Sequence, residues 1–388
     1  MIPRAIEEEL HTLLAEYPVV TILGPRQAGK TTLARHALKD FQYCNLEVPE
    51  LRDLASKDPK ALLTRYSNRV IFDEIQRVPQ LLSYIQAMVD ERGGAGQFVL
   101  TGSHQLQLTE AITQSLAGRT AILHLLPFSI SELEGGGISF ERFEDYVFHG
   151  FLPRIYDQNQ RPTRAYANYY QTYVERDVRQ LINLKDVSLF EKFVKLLAGR
   201  AGQVLNYQSL SNDVGVDSNT IKSWLSILEA SFVIFKLPPY FENLGKRVIK
   251  SPKYYFMDVG LLVYLLGIQE PDQISRDPLV GNIFENLIVI ECLKARYNQG
   301  KTSNLYFFRD SNGNEVDIIA QDGRELTAIE IKSSSTFHSS LLKNLRKARN
   351  LTDKITHGYL VFNGESLELS DGNSLVNFRE IGRVWGNR

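Results

Sequence analysis

The sequence predicts an α/β chain in three stretches: a parallel sheet with helices on both faces, a helical middle, and a second α/β unit. Three observations predict this. Short apolar runs at 18–23, 70–72 and 97–100 alternate with helix-forming stretches through the first 150 residues. Residues from about 160 to 240 lack that alternation and read as helices. The last third returns to strand patterns at 305–308, 314–320 and 326–332, after a long helical run near Gly281.

The first strand, Pro18 to Leu23, leads directly into Gly24-Pro25-Arg26-Gln27-Ala28-Gly29-Lys30-Thr31-Thr32. This fits G-x-x-x-x-G-K-[ST], set between a strand and the helix-forming run Leu33 to Leu38. The pattern has a physical logic. Glycine permits close backbone approach, and the loop amides converge on phosphate oxygens at a helix N-terminus. Gly24 through Thr32 are therefore the candidate nucleotide-binding residues. Lys30 is placed to reach the β- and γ-phosphates, and Thr31 to enter a Mg²⁺ shell.

A strand is expected at 41–46, and another at Val70-Ile71-Phe72, which ends in Asp73-Glu74. Asp73 is the candidate second metal residue, and Glu74 the group that orients or deprotonates the attacking water. The strand at 97–100 ends in Thr101-Gly102-Ser103, and Ser103 is preferred as the polar tip that senses the γ-phosphate. Arg119, with Arg176 as second choice, is the candidate arginine acting from a neighbouring subunit. Gly135-Gly136-Gly137 punctuates the end of this unit.

In the middle stretch, helices at 207–213 and 219–229 flank the turn Val214-Gly215-Val216, with Ser218 as the expected cap. Ile221, Trp224, Leu225 and Leu228 fall on one face of the second helix. This is a helix-turn-helix pattern, and strands at 232–235 and 254–256 would supply a wing. Lys222 on the helix and Lys246, Arg247, Lys250 and Lys253 in an expected loop are the candidate DNA contacts.

In the last third, an Asp-Gly step marks a hairpin between 314–320 and 326–332. Strand alternation puts Glu330 and Lys332 on one face, with Asp317 on the adjacent strand and Glu285 on an apolar helix upstream.

Global features set limits. Across 388 residues, 44 basic and 45 acidic side chains nearly cancel, so any nucleic-acid surface must be a local patch. Two distant cysteines, Cys44 and Cys292, argue against a disulfide framework, and seven scattered histidines give no zinc signature. The N-terminal residues are amphipathic and acidic, and no apolar run reaches membrane-spanning length. A soluble, cytoplasmic protein is expected.

Together, Gly24 to Thr32, Val70 to Glu74, Leu100 to Ser103, Ser115 to Arg119 and Glu175-Arg176-Asp177 resemble one family. It is the prokaryotic AAA+-type ATPases of the archaeal-ATPase branch, which carry a C-terminal domain of unknown function. The resemblance covers almost the whole chain. It implies a P-loop NTPase (AAA+-like) fold over 1–155, a helical linker and winged helix over 156–260, and a restriction-endonuclease-like unit over 261–388. It also implies ATP and Mg²⁺ binding, slow hydrolysis and homo-oligomers, hexamers among them. Glu285, Asp317, Glu330 and Lys332 resemble the D…(D/E)-x-K set of the restriction-endonuclease-like superfamily, whose carboxylates bind a divalent metal. The leading expectation is an ATPase that engages DNA, including branched or structured DNA. The alternatives are an ATP-dependent signalling or defence switch that binds protein, and an ATP-gated nuclease.

Overall fold

The computed structural model describes residues 2–103, 112, 114–178, 187–240, 250–310, 313–349 and 352–386, excluding the side chains of 175–178. Five strands make the first sheet: β1 (Val19–Leu23), β2 (Gln42–Asn45), β3 (Val70–Asp73), β4 (Phe98–Gly102) and β5 (Thr120–His124). Their order is β2-β3-β4-β1-β5, and every pairing is parallel. Every residue of β1, β3 and β4 is buried, as expected of central parallel strands covered on both faces. Parallel strands align their C-terminal ends along one edge, which is where open α/β sheets bind ligands. Here that edge carries the loop after β1, Asp73 after Phe72, and the tip of β4.

The middle stretch is helical as expected. Helices span Phe143–His149, Pro153–Asp157 and Pro162–Tyr169, and the last runs on as a π-helix over Tyr170–Val178. Further helices cover Val187–Ala198, Tyr207–Val214 and Ser218–Ala230. Gly215 closes the helix before the turn in the left-handed conformation (φ 95°), which glycine adopts without a Cβ clash. The next helix is capped by Asp217 rather than Ser218, its carboxylate accepting from the amides of Asn219 and Thr220. Ile221, Trp224, Leu225 and Leu228 are buried, and Trp224 packs its ring against Phe190 and Phe193. β6 (Ile234–Leu237) then pairs with β7 (Lys253–Phe256) in antiparallel fashion.

Lys253 corrects one expectation. It is not a loop residue facing a polyanion but the first residue of β7, with only 3% of its side chain exposed. Flanking aromatic residues draw the backbone into the core, and its ammonium finds carboxylates there.

The last unit is a six-stranded sheet in the order β12-β13-β11-β10-β9-β8. Its strands are β8 (Leu305–Arg309), β9 (Glu315–Asp322), β10 (Glu325–Lys332), β11 (Ile355–Phe362), β12 (Leu367–Glu368) and β13 (Asn373–Asn377). β8, β9 and β10 form an antiparallel meander, whereas β10, β11 and β13 run parallel. Gly323, at φ 62°, makes the β9–β10 turn. The helix Val280–Tyr297 links this sheet to the first one. Its Glu291 accepts the Ile130 amide at 2.9 Å, and its Lys294 donates to the Phe128 carbonyl at 2.7 Å. His124 at the end of β5 stacks on Tyr297 and meets Phe232. Hydrophobic contacts run unbroken from β1 to Val384. Among the described residues no helix is long and apolar enough to cross a membrane.

Candidate nucleotide site

The loop after β1 is shaped by its glycines. A Cβ on Gly24 would lie 2.0 Å from the Leu125 carbonyl oxygen, so no larger residue fits. Gly29 turns the chain at φ 91° into the helix Lys30–Ala37. Lys30 begins that helix, and its buried Nζ donates to the carbonyls of Gly24 (2.9 Å) and Pro25 (2.8 Å). Burial lowers the Lys30 ammonium to a pKa of about 8, against the opposing pull of Glu74 and Asp73.

The Thr31 hydroxyl donates toward Asp73 Oδ1 and Oδ2 at 2.9 and 3.0 Å, so the two expected metal residues are in contact. Two further hydroxyls hold the same carboxylate. Tyr43 donates to Oδ2 at 2.7 Å, and Thr101 donates to Oδ1. Thr101 also accepts the Glu74 amide at 3.2 Å. Glu74 itself takes left-handed angles (φ 58°, ψ 46°), an uncommon conformation for a residue with a Cβ. Burial raises its carboxyl above the ordinary range, with Lys30 pulling the other way.

A cavity of about 750 Å³ opens over these residues. Arg26, Gln27, Gly29, Lys30, Thr31, Thr32 and Glu74 line it on the loop side. Opposite them stand Ile2, Phe128, Ile138, Pro153 and Tyr156, which offer apolar surface of the kind a purine base packs against. Pro25 and Ala28 belong to the loop without lining the cavity. Arg4 also lines the cavity and fixes the loop, donating to the Ala28 carbonyl (2.8 Å), the Leu126 carbonyl (2.6 Å) and Glu132 (3.0 Å).

The other sequence expectations fare unevenly. Ser103 is buried at the tip of β4, within 3.4 Å of Glu74 Oε2, while Thr101 is the strand-tip residue that touches Asp73. Arg119 lies at the opposite edge of the sheet. Its carbonyl accepts the Val19 amide at the start of β1, and its guanidinium pairs with Asp90, so it cannot reach the loop of its own chain. The Arg176 side chain lies outside the described residues, as do Lys246 and Arg247. Lys222 and Lys250 are exposed, the former near the Tyr207 ring.

The second constellation assembles only in part. Lys332 Nζ stands 2.8 Å from Glu330 and 3.5 Å from Asp317, and Asp317 Oδ2 accepts the Ile331 amide at 2.7 Å. Burial first, then Asp317, pushes the Glu330 carboxyl up to about 7. Glu285 stands near Asp317, which helps burial raise its carboxyl, and its own bonds come from Tyr255 (2.6 Å) and Lys253 (2.9 Å); Lys253 also meets Glu315 at 2.6 Å. The expected metal set is not assembled as a cluster: among the described residues no group of three acidic, histidine or cysteine side chains could hold a metal ion.

Sequence reasoning passed over Thr101, Tyr43, Gln76 and Arg4. The contacts of Arg4, with partners 24 to 128 residues away, have no local signature.

The fold and the loop site define a P-loop ATPase domain of the AAA type. The AAA domain family matches residues 16–134, and two domains of unknown function match 140–272 (DUF8612) and 280–381 (DUF4143). A Mycobacterium tuberculosis relative, the uncharacterized protein Rv2008c, is 30% identical over 341 residues, covering 87% of this chain and 75% of its own. The chain belongs to the family that this relative represents. A Haemophilus influenzae relative is 24% identical over 374 residues, covering 87% and 86%. Among solved structures, the Walker-type ATPase PABY2304 of Pyrococcus abyssi is similar at a TM-score of 0.46 and 16% identity, covering 68% of this chain and 96% of its own.

Proposed function

We propose that the chain hydrolyses ATP with Mg²⁺ as a homo-oligomer and uses the cycle to act through its C-terminal units, with DNA as their partner. The observation that carries this reading is one cavity lined by Lys30, Thr31 and Glu74, with Asp73 bonded to Thr31. Loop amides and Lys30 bind the β- and γ-phosphates, exchanging carbonyl partners for phosphate oxygens. Thr31 and Asp73 are hard oxygen donors, and a Mg²⁺ shell takes one or two such groups alongside water and phosphate. The ion, when bound, neutralises charge on the phosphates. Tyr43 and Thr101 hold the Asp73 carboxylate, and Glu74 takes the proton of the attacking water.

The DNA part rests on the helix-turn-helix arrangement, read as a winged helix, and on exposed Lys222 and Lys250. A restriction-endonuclease-like reading of the last unit rests on Asp317, Glu330 and Lys332, and the ammonium of Lys253 weighs against cutting. A second reading, an ATP-dependent signalling or defence switch with a protein partner, is favoured by the contacts of Glu291 and Lys294 with the cavity wall. They tie the backbone at Phe128 and Ile130 directly to the helix Val280–Tyr297.

The test is turnover measured with and without duplex, single-stranded and four-way DNA, alongside a mass measurement. DNA-stimulated turnover by an oligomer supports the first reading. Indifference to every nucleic acid, with a co-purifying protein, supports the switch. Undiminished turnover in Glu74→Gln overturns the site assignment itself.

A further inference from the structure

Glu74 and Gln76 are two residues apart, yet their side chains meet. The left-handed backbone at Glu74 turns the chain into a single 3₁₀ turn, Ile75–Arg77, and brings the Gln76 amide back over the Glu74 carboxylate. Gln76 Nε2 donates to Glu74 Oε2 and also to Ser103 Oγ at 3.3 Å, while Ser103 Oγ lies 3.4 Å from the same Oε2. Both bonds to the carboxylate fall on one oxygen, Oε2. Among the described residues no donor reaches Glu74 Oε1, although Glu74 lines the nucleotide cavity.

The glutamine pays for this arrangement. Its own Oε1 is buried and has no hydrogen-bond partner among the described residues. An orphaned buried carbonyl is unfavourable, and a surface-bound glutamine would turn to relieve it. Turning the amide here would set its oxygen against the carboxylate, so the nitrogen stays on Glu74.

We infer that Gln76 is the positioning residue of the hydrolytic site. It pins Oε2 toward the tip of β4, so that Oε1 is the atom presented to the attacking water. A glutamate has three side-chain torsions, and an unpinned carboxylate spends most of its time away from the line of attack. This inference rests on the ATPase reading above. It adds that the carboxylate is aimed by a neighbour on the same turn, with Ser103 as the shared second donor rather than a direct phosphate sensor.

The experiment uses the full-length chain and the isosteric variant Gln76→Met, with steady-state ATPase kinetics and direct titration of a fluorescent ATP analogue. The expected result is a fall in kcat of about tenfold with KM and analogue affinity within about twofold of the parent, because aim is lost and phosphate binding is not. Gln76→Glu, which replaces the donor by a second carboxylate of the same shape, should lower kcat at least as far. An unchanged kcat, or equal losses in kcat and analogue binding, overturns the inference. So does failure of both variants to fold, which would assign Gln76 to the fold. Glu74→Gln run in parallel separates the two levels: if it turns over normally, the ATPase site is wrong, whereas its loss with an unaffected Gln76→Met removes only the positioning role.

Discussion

Lys253 Nζ lies 2.9 Å from Glu285 and 2.6 Å from Glu315, and so joins β7 to the helix Val280–Tyr297 and to β9 through one buried charge. Its ammonium is held above the ordinary lysine range by the carboxylates, which outweigh burial. Removing one partner of a buried pair leaves the others uncompensated. Lys253→Met is expected to destabilise the protein by about 3 to 5 kcal/mol. The double variant Lys253→Met/Glu285→Gln should recover part of that loss, as measured by urea unfolding.

Thr101 binds both Asp73 and the Glu74 amide through one hydroxyl. Thr101→Val keeps the shape and strands both groups. Stability should fall by about 1 to 2 kcal/mol. Hydrolysis should fall further than ATP-analogue binding, since Lys30 and the loop are untouched. Equal binding and turnover losses would show that Thr101 only supports the sheet.

Gly24→Ala tests the loop by geometry alone. A methyl group at this position meets the Leu125 carbonyl at 2.0 Å. Analogue binding should disappear while far-ultraviolet circular dichroism stays close to that of the parent.

His124 makes stability depend on pH. Its Nδ1 is buried without a partner among the described residues, and burial lowers the imidazole to about 4 from an ordinary 6.5. The folded state therefore binds fewer protons than the unfolded chain between those values. Stability from this residue is complete above pH 6.5, falls as pH drops through 6.5, and levels off below about 4. The total is about 3 kcal/mol. His124→Phe should flatten that part of the curve, and an unchanged slope in this variant would remove His124 as its source.

Much of the ATPase unit was legible because its chemistry is local. Gly24 to Thr31 are contiguous, and Asp73-Glu74 follow an apolar run directly. The helix-turn-helix was equally readable, since Ile221, Trp224, Leu225 and Leu228 declare a buried face by spacing. The rest depended on distance. Lys253 looks like part of a basic loop until β7 buries it, and a lysine's surroundings are set by chain segments 32 and more residues away. Tyr43 reaches Asp73 only because β2 and β3 are neighbours. That Thr101 is the strand-tip residue touching Asp73 follows only from the pairing of β3 with β4. Gln76 escaped notice for another reason: its contact depends on the left-handed turn at Glu74, which spacing does not announce.

The bonds of Glu291 and Lys294 to Ile130 and Phe128 bear on how the chain can be divided. Three family segments meet end to end along the sequence, which invites expression of each as a separate piece. A fragment ending before residue 280 would lose the carboxylate that receives the Ile130 amide, and would open the stack of His124 on Tyr297. It would keep every residue that lines its nucleotide cavity, but Phe128 in that wall would lose the Lys294 bond to its carbonyl. The AAA segment and its C-terminal companion share these buried contacts, so each is expected to be less stable when expressed alone than within the whole chain.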